Sequence, residues 1–559
     1  MSRLIRPLAC IAWLLALVTA TSAHSQTPSE FAASINAQLA AGKLALLRDG
    51  DFARDREAIQ QLYDRRRHQP VWFQNGELTG QGALLLRTLR RADDHGLRPD
   101  DYDGTPLLQR VIGLITDPSA PVEERAELDL GMTVAAARML RHLHSGRVDP
   151  RAAGFDLNQP RAPLDVAAAL ERLATSDDFS RALASVEPSF LHYHLLKLAL
   201  HRYRVLALER GLTDLPALKG RSVRPGEAYD GIPALRRLLI AVDDLPMGTI
   251  TSDAVLDETL AAGLTRFQRR HGLAPDGILG RRSLAALRVP LSVRAQQLAL
   301  TLERWRWFPE FSSPPIIVNI PQFRLFAFRS TQDRAADILQ MDVIVGNTYP
   351  ATQTPAFAAE MKYVVFRPYW EVPSSILEKE MLPELRANLG YLDENNLEIV
   401  SNSDADAAPT APSLEAIDQL AAGTLRLRQR PGDDNSLGLV KLMLPNPYSV
   451  YLHSTPARRL FDVPRRAFSH GCIRVSDPVG LVEHVLRDVA GEAAEKWTRE
   501  RIEAAMNDAT PEGQNRHVYL SKPIPVLVVY GTALALESGE VLFFEDLYGH
   551  DRKLEELLR

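Results

Sequence analysis

Two spacings of apolar residues divide the chain. From about residue 27 to residue 245, Leu and Ala recur at helical intervals, as at Leu195, Leu198, Leu200 and Val205. Pro and Gly break the run at Gly96-Leu97-Arg98-Pro99 and between Gly146 and Pro150. The pattern predicts a helical N-terminal scaffold. Leu256, Leu260, Leu264 and Phe267 then follow at intervals of four, four and three, the stripe of an amphipathic helix. Pro275-Asp276-Gly277 turns the chain, since Gly adopts positive φ without strain, and a second short helix is predicted from Arg281 to Leu287. Residues 251–289 therefore read as a compact helical unit.

From Ile316 onward the period drops to two. Phe323, Leu325 and Ala327 alternate with Arg324, Phe326 and Phe328. Further strands are predicted at Met341 to Val345, Met361 to Phe366, Val440 to Leu444, Val450 to His453 and Val526 to Tyr530. They come at irregular intervals without a βαβ rhythm, which argues against a doubly wound sheet. A mainly β domain over 312–535 fits better. It is interrupted at 374–438 by helical and polar sequence, with loop-like stretches at Ser401-Asn402-Ser403-Asp404 and Ala407 to Pro412. An insertion of that size in a catalytic domain often serves as a lid. Residues 536–559 remain as a C-terminal extension. The fold class predicted is thus multidomain α+β. A length of 559 residues exceeds what one hydrophobic core supports.

The N-terminus changes the picture of where the protein works. Arg3 and Arg6 precede an almost wholly apolar run from Leu8 to Val18, followed by Ala20, Thr21, Ser22 and Ala23. This reads as a secretory leader over residues 1–25, cut after Ala23 or Ser25. The run is short for a bilayer span, although an uncleaved anchor is the alternative. Cleavage removes Cys10 and leaves Cys472 as the one thiol, so no internal disulfide is available. A composition 45% apolar and 24% charged is that of an ordinary globular chain, and a net charge of -5 gives no basic face for nucleic acid. His192, His194 and His201 invite a metal reading, but His192 leaves the helix face the other two share, and no carboxylate or Cys completes a ligand set. Neither metal nor cofactor is expected.

Chemistry concentrates in Ser469-His470-Gly471-Cys472-Ile473-Arg474-Val475. A thiol is only a few per cent ionised near pH 7 and needs a base or a favourable field to act as a nucleophile. Gly471 lets backbone and substrate approach the sulfur, and nearby N–H groups suit an oxyanion. Asp477-Pro478 reads as a helix cap and first turn. His453 ends a strand-like run, and fifteen residues separate it from Ser469. That loop is long enough to fold back and bring the imidazole to the sulfur. Residue types alone leave two readings open: a Cys–His couple, or a strand-end histidine beside a buried structural thiol. His470, two residues from the sulfur on a tight loop, is the less favourable base on geometry.

His453 followed by Ser469-His470-Gly471-Cys472-Ile473-Arg474 resembles the signature of the L,D-transpeptidases. Val345-Gly346 with Thr354-Pro355, the run Pro368 to Pro373, the run Lys441 to Asn446, and Tyr451 to Pro456 are similar to that family as well. Residues 251–289 look like a peptidoglycan-binding repeat. The resemblance is to the large form of the family, which has a helical N-terminal domain, a wall-binding module and a lidded catalytic domain.

The resemblance implies Cys472 as nucleophile and His453 as acid–base. The carbonyl of Ser454 would orient the imidazole, Ser469, His470 and Gly471 would shape the oxyanion hole, and Arg474, Tyr451 and Trp370 would hold substrate. The implied reaction links two diaminopimelate residues of peptidoglycan through a cysteinyl thioester and releases D-alanine from a tetrapeptide stem. Implied with it are acylation by carbapenems, peptidoglycan stems and other wall synthases as partners, and a periplasmic location with no membrane span after leader cleavage. A carboxypeptidase or lipoprotein-detaching hydrolase with the same Cys–His site is the nearest alternative. A non-catalytic wall-binding protein is the alternative from another class. No S-x-x-K serine motif or H-E-x-x-H zinc motif supports a different hydrolase.

Overall fold

The computed structural model describes residues 28–117, 119–157, 161–330, 337–402, 408–489 and 496–559. The predicted leader at 1–25 lies outside them, as do residues 403–407 of the predicted loops. Among the described residues no helix is long and apolar enough to cross a membrane. The chain divides into two compact units.

The first unit takes residues up to Arg90 together with Pro99–Leu140 and Asp165–Ala182. Helices Arg56–Arg65, Gly80–Arg90, Gly104–Thr116 and Val166–Thr175 bury Leu62, Leu89, Leu107 and Leu170. Each of these helices presents its apolar stripe inward. A polar centre lies within this core. Asp129 accepts from the Tyr63 hydroxyl at 2.6 Å and from the Trp72 backbone N–H at 2.8 Å, with the Val71 N–H 3.0 Å from both its oxygens. Trp72 Nε1 donates to Thr133 Oγ1, which in turn donates to the Asp129 carbonyl.

The second unit holds everything else, including the helical unit around residue 260 and the β domain. Helix Glu258–Arg270 is capped by Asp257 and carries the predicted Leu260, Leu264 and Phe267 stripe inward. Gln268 braces the following turn. Its Nε2 lies within 3.0 Å of Asp276 Oδ1, the Ile278 carbonyl and Ser283 Oγ, while its Oε1 accepts from the Gly277 N–H.

The β domain is a closed sheet. Its strands are β1 (Ile316–Asn319), β2 (Arg324–Ala327), β3 (Leu339–Gly346), β4 (Ala356–Phe366), β5 (Val440–Met443), β6 (Leu452–His453), β7 (Ile473–Val475) and β8 (Arg516–Val529). They pair in the order β5-β6-β7-β3-β2-β1-β8-β4, and β4 pairs with β5 to close the ring. Strand alternation sends Val318, Leu325, Val343, Val364, Leu442, Leu452, Ile473 and Val526 into one shared core. The intervening residues of β5, β6 and β7 face outward.

The insertion is helical in large part, and it also contains strands that the polarity pattern did not reveal. Its strands Leu397–Ser401 and Leu425–Gln429 form a three-stranded sheet with Trp370–Glu371, which precedes the insertion. It has its own core, including Leu385, Ile399, Ile417 and Leu427. The C-terminal extension continues a hairpin, Ala533–Ala535 against Val541–Phe543, and ends in helix His550–Leu557.

Candidate active site

Strands β6 and β7 run parallel, with Leu452 beside Ile473 and His453 beside Arg474. Leu452 and Ile473 point into the core. Their neighbours Tyr451, His453, Cys472 and Arg474 therefore share the outer face. Strand β5 adds Lys441, paired with His453 from the other side. Lys441, His453 and Arg474 thus form a straight cross-strand row. Cys472 and Tyr451 lie one step along, and the Tyr451 carbonyl accepts from the Ile473 N–H at 3.0 Å.

His453 is buried, and its Nδ1 lies 2.6 Å from the Ser454 carbonyl. A carbonyl only accepts, so Nδ1 carries the hydrogen and Nε2 is left with its lone pair. Burial, with the Arg474 and Lys441 charges contributing, lowers the His453 pKa to about 3. The imidazole is therefore neutral at physiological pH. Burial raises the Cys472 thiol, while Tyr451, Lys441 and Arg474 pull it back down. The thiol is half-buried and lies 3.7 Å from the Ser449 carbonyl. No hydrogen bond joins Sγ to the imidazole in this structure. The two are diagonal neighbours on adjacent parallel strands. Such pairs commonly tighten only when substrate arrives.

The loop before the sulfur is held by hydrogen bonds from three directions. Ser469 Oγ accepts from the Gly471 N–H at 3.1 Å and donates to the Cys472 carbonyl at 2.6 Å. Thr354 Oγ1 accepts from the Gly346 N–H and donates to the Gly471 carbonyl, both at 2.8 Å. The Tyr548 hydroxyl donates to the Gly346 carbonyl at 2.6 Å. Gly471 needs its φ of +122°, and a Cβ on Gly346 would overlap the Thr352 carbonyl. After the strand, Asp477 accepts from the Gly480 N–H and caps helix Pro478–Leu486.

The nine residues predicted for the site are not equivalent in this arrangement. Tyr451, His453, Cys472 and Arg474 come together on one face, and the Tyr451 hydroxyl meets the side chain of Trp370, which stands just before the insertion. The Ser454 carbonyl meets the imidazole, while its hydroxyl donates to the Leu437 carbonyl. Ser469 and Gly471 bond each other rather than aiming N–H groups outward. The Cys472 N–H takes no partner among the described residues and is the donor left free beside the sulfur. His470 turns away to Glu380 of the insertion, at 2.9 Å. His192 meets the Ala535 carbonyl at 3.2 Å and His201 lies 3.7 Å from Asp94.

Residues 314–500 match the family described as an L,D-transpeptidase catalytic domain (YkuD), which takes in β5, β6, β7 and the sulfur. The chain carries an L,D-transpeptidase catalytic domain. Residues 57–200 match a family described as a scaffold domain, and residues 229–287 match one named "Putative peptidoglycan binding domain". The latter match opens before helix Ile232–Ala241, whose Leu235 and Leu239 share a core with Leu260 and Leu264. A protein of Haemophilus influenzae named "Putative L,D-transpeptidase" is 31% identical over 259 residues. That match covers 46% of this chain, and the chain spans about half the length of this relative, 49%.

Within the L,D-transpeptidase domain, sequence reasoning missed Lys441, Thr354 and Tyr548 as site-shaping residues. The Lys441 to Asn446 and Thr354-Pro355 strings signalled the first two, but not what they touch. Nothing near Tyr548 in the sequence marks it.

Proposed function

We propose that the chain is a transpeptidase that joins two diaminopimelate residues of peptidoglycan, with Cys472 as nucleophile and His453 as the proton carrier. The observation that carries this reading is the shared outer face of β6 and β7, which presents a thiol and a neutral imidazole as diagonal neighbours. The thiol proton passes to His453 Nε2 as Sγ bonds to the carbonyl carbon of the donor. The C–N bond then breaks, and the proton leaves with the amine of D-alanine. A second stem's amine attacks the thioester, gives its proton to His453, and displaces the sulfur, which takes the proton back. The Cys472 N–H is suited to the developing oxyanion. Arg474, Tyr451 and Trp370 line the approach, and the insertion acts as a cover that favours amine over water. Ser469, His470 and Gly471 act through the shape of the Cys loop.

The wall-binding family match over 229–287 supports a role in holding the polymer, and the predicted leader supports work in the periplasm. Other wall synthases are the expected partners. The test is intact mass after exposure to a carbapenem and to a tetrapeptide donor. The expected result is a covalent adduct on the wild type, none on Cys472→Ala, and acylation slowed about 10²–10⁴-fold in His453→Gln. An adduct that survives in Cys472→Ala, or a wild type that never acylates, would overturn the reading. Transfer to water alone, with acceptor amine present, would make the enzyme a hydrolase.

A further inference from the structure

Among the described residues Lys441 has no ion-pair partner. It lies on the outer face beside His453, with its ammonium 4.0 Å from the Tyr451 ring centroid. Among the described residues no carboxylate lies within ion-pairing distance of it, and none within that distance of Arg474 on the other side of His453. Arg474 Nε is moreover buried without a hydrogen-bond partner. The charged and titratable groups that face Lys441 are Cys472, His453, Arg474, Glu371 from the strand before the insertion and His517 from β8. Glu371 is engaged by Arg426. Two partly desolvated cations therefore flank the base, and among the described residues neither has a carboxylate in ion-pair contact. A protein keeps such an arrangement where a ligand supplies the missing charge.

We propose that Lys441 is a specificity-determining residue, whose ammonium, together with the Arg474 guanidinium, receives the carboxylate of the donor's terminal D-residue. This rests on the reading above, in which His453 serves the leaving amine. That nitrogen and its own carboxylate are separated by one carbon, so the carboxylate lies within roughly 4 Å of it. Adjacent strands are about 4.8 Å apart. The side chains that flank His453 across the sheet are thus the ones a terminal carboxylate meets. An internal residue offers a neutral amide at the same place and leaves the cations unanswered. The site thereby distinguishes a chain end from a mid-chain bond. Binding also sets a negative charge beside the imidazole, offsetting the cations that oppose its protonation.

Binding of a fluorescent stem tetrapeptide to the full-length Cys472→Ala protein tests this without chemistry. The peptide is offered with a free D-alanine carboxylate and as the carboxamide. Expected are at least tenfold tighter binding of the acid, loss of most of that preference in Lys441→Gln with carboxamide affinity unchanged, and partial retention in Lys441→Arg. An equal loss for both peptides, or a preference that survives Lys441→Gln, would overturn the proposal. So would an absence of binding by either peptide to a protein whose thermal melt is normal. If the acid binds in a Lys441-dependent way but the wild type forms no thioester, the reaction reading fails and the carboxylate site stands.

Discussion

Asp129 in the N-terminal unit and Lys441 in the catalytic domain are both charged side chains drawn out of water, and their surroundings differ in kind. Asp129 is met by a hydroxyl and two backbone N–H groups, and its own partners bond one another through Thr133. Lys441 meets the Tyr451 face, with the Cys472 thiol and the Glu371 carboxylate acting on it from nearby, and makes no ion pair among the described residues. A closed polar network fixes a fold. An open one leaves part of the interaction for something that arrives later. Burial alone does not separate the two cases, whereas a count of unmet donors and acceptors does.

The contrast breaks most visibly at Asp129. Asp129→Ala strands two backbone N–H groups in the core and leaves the Tyr63 hydroxyl with Thr133 alone, and a loss of about 3 kcal/mol is expected in denaturant unfolding. A loss under about 1 kcal/mol would mean that water or neighbouring groups replace the carboxylate. Acid should expose the catalytic side next. His453 is held to about 3 in the folded chain and titrates near 6.5 when unfolded. The unfolded state therefore binds more protons between those values. Stability is complete above about pH 6.5 and falls as pH drops, by about 2 kcal/mol at pH 5. His550, held to about 4 by burial, adds a loss of the same sign. The His453 share is thus the difference in acid sensitivity between wild type and His453→Gln. The smallest effect has the opposite sign. Lys441→Met removes a partly buried cation that has no ion-pair partner among the described residues, so stability should stay level or rise by up to about 1 kcal/mol in the same unfolding assay. A clear destabilisation would show that Lys441 is a framework residue like Asp129.

Much of this was legible in the chain. Period-two alternation exposed the strands from Ile316 onward, because each buries one face in a common core. The His453 and Ser469 to Arg474 strings pointed to the outer-face cluster. The closure of the sheet was not legible, because the pairing of β4 with β5 joins segments on either side of a long insertion. The insertion strands were hidden by composition. Leu425–Gln429 alternates Leu with Arg, which reads as readily as a charged helix face, and Arg428 meets Glu398 only across the strand pair. The partners of the Cys loop were hidden for another reason. Thr354 and Tyr548 act through hydrogen bonds to the backbone of Gly346 and Gly471, which leave no periodic trace.

The bond from Tyr548 to Gly346 has a temporal consequence. Tyr548 lies well beyond Cys472 in the order of synthesis, yet it fastens the turn on which Thr354 holds the Gly471 carbonyl. A nascent chain that has produced Cys472 has not yet produced this clasp, so a product truncated just short of Tyr548 would carry Cys472 on an unfastened loop.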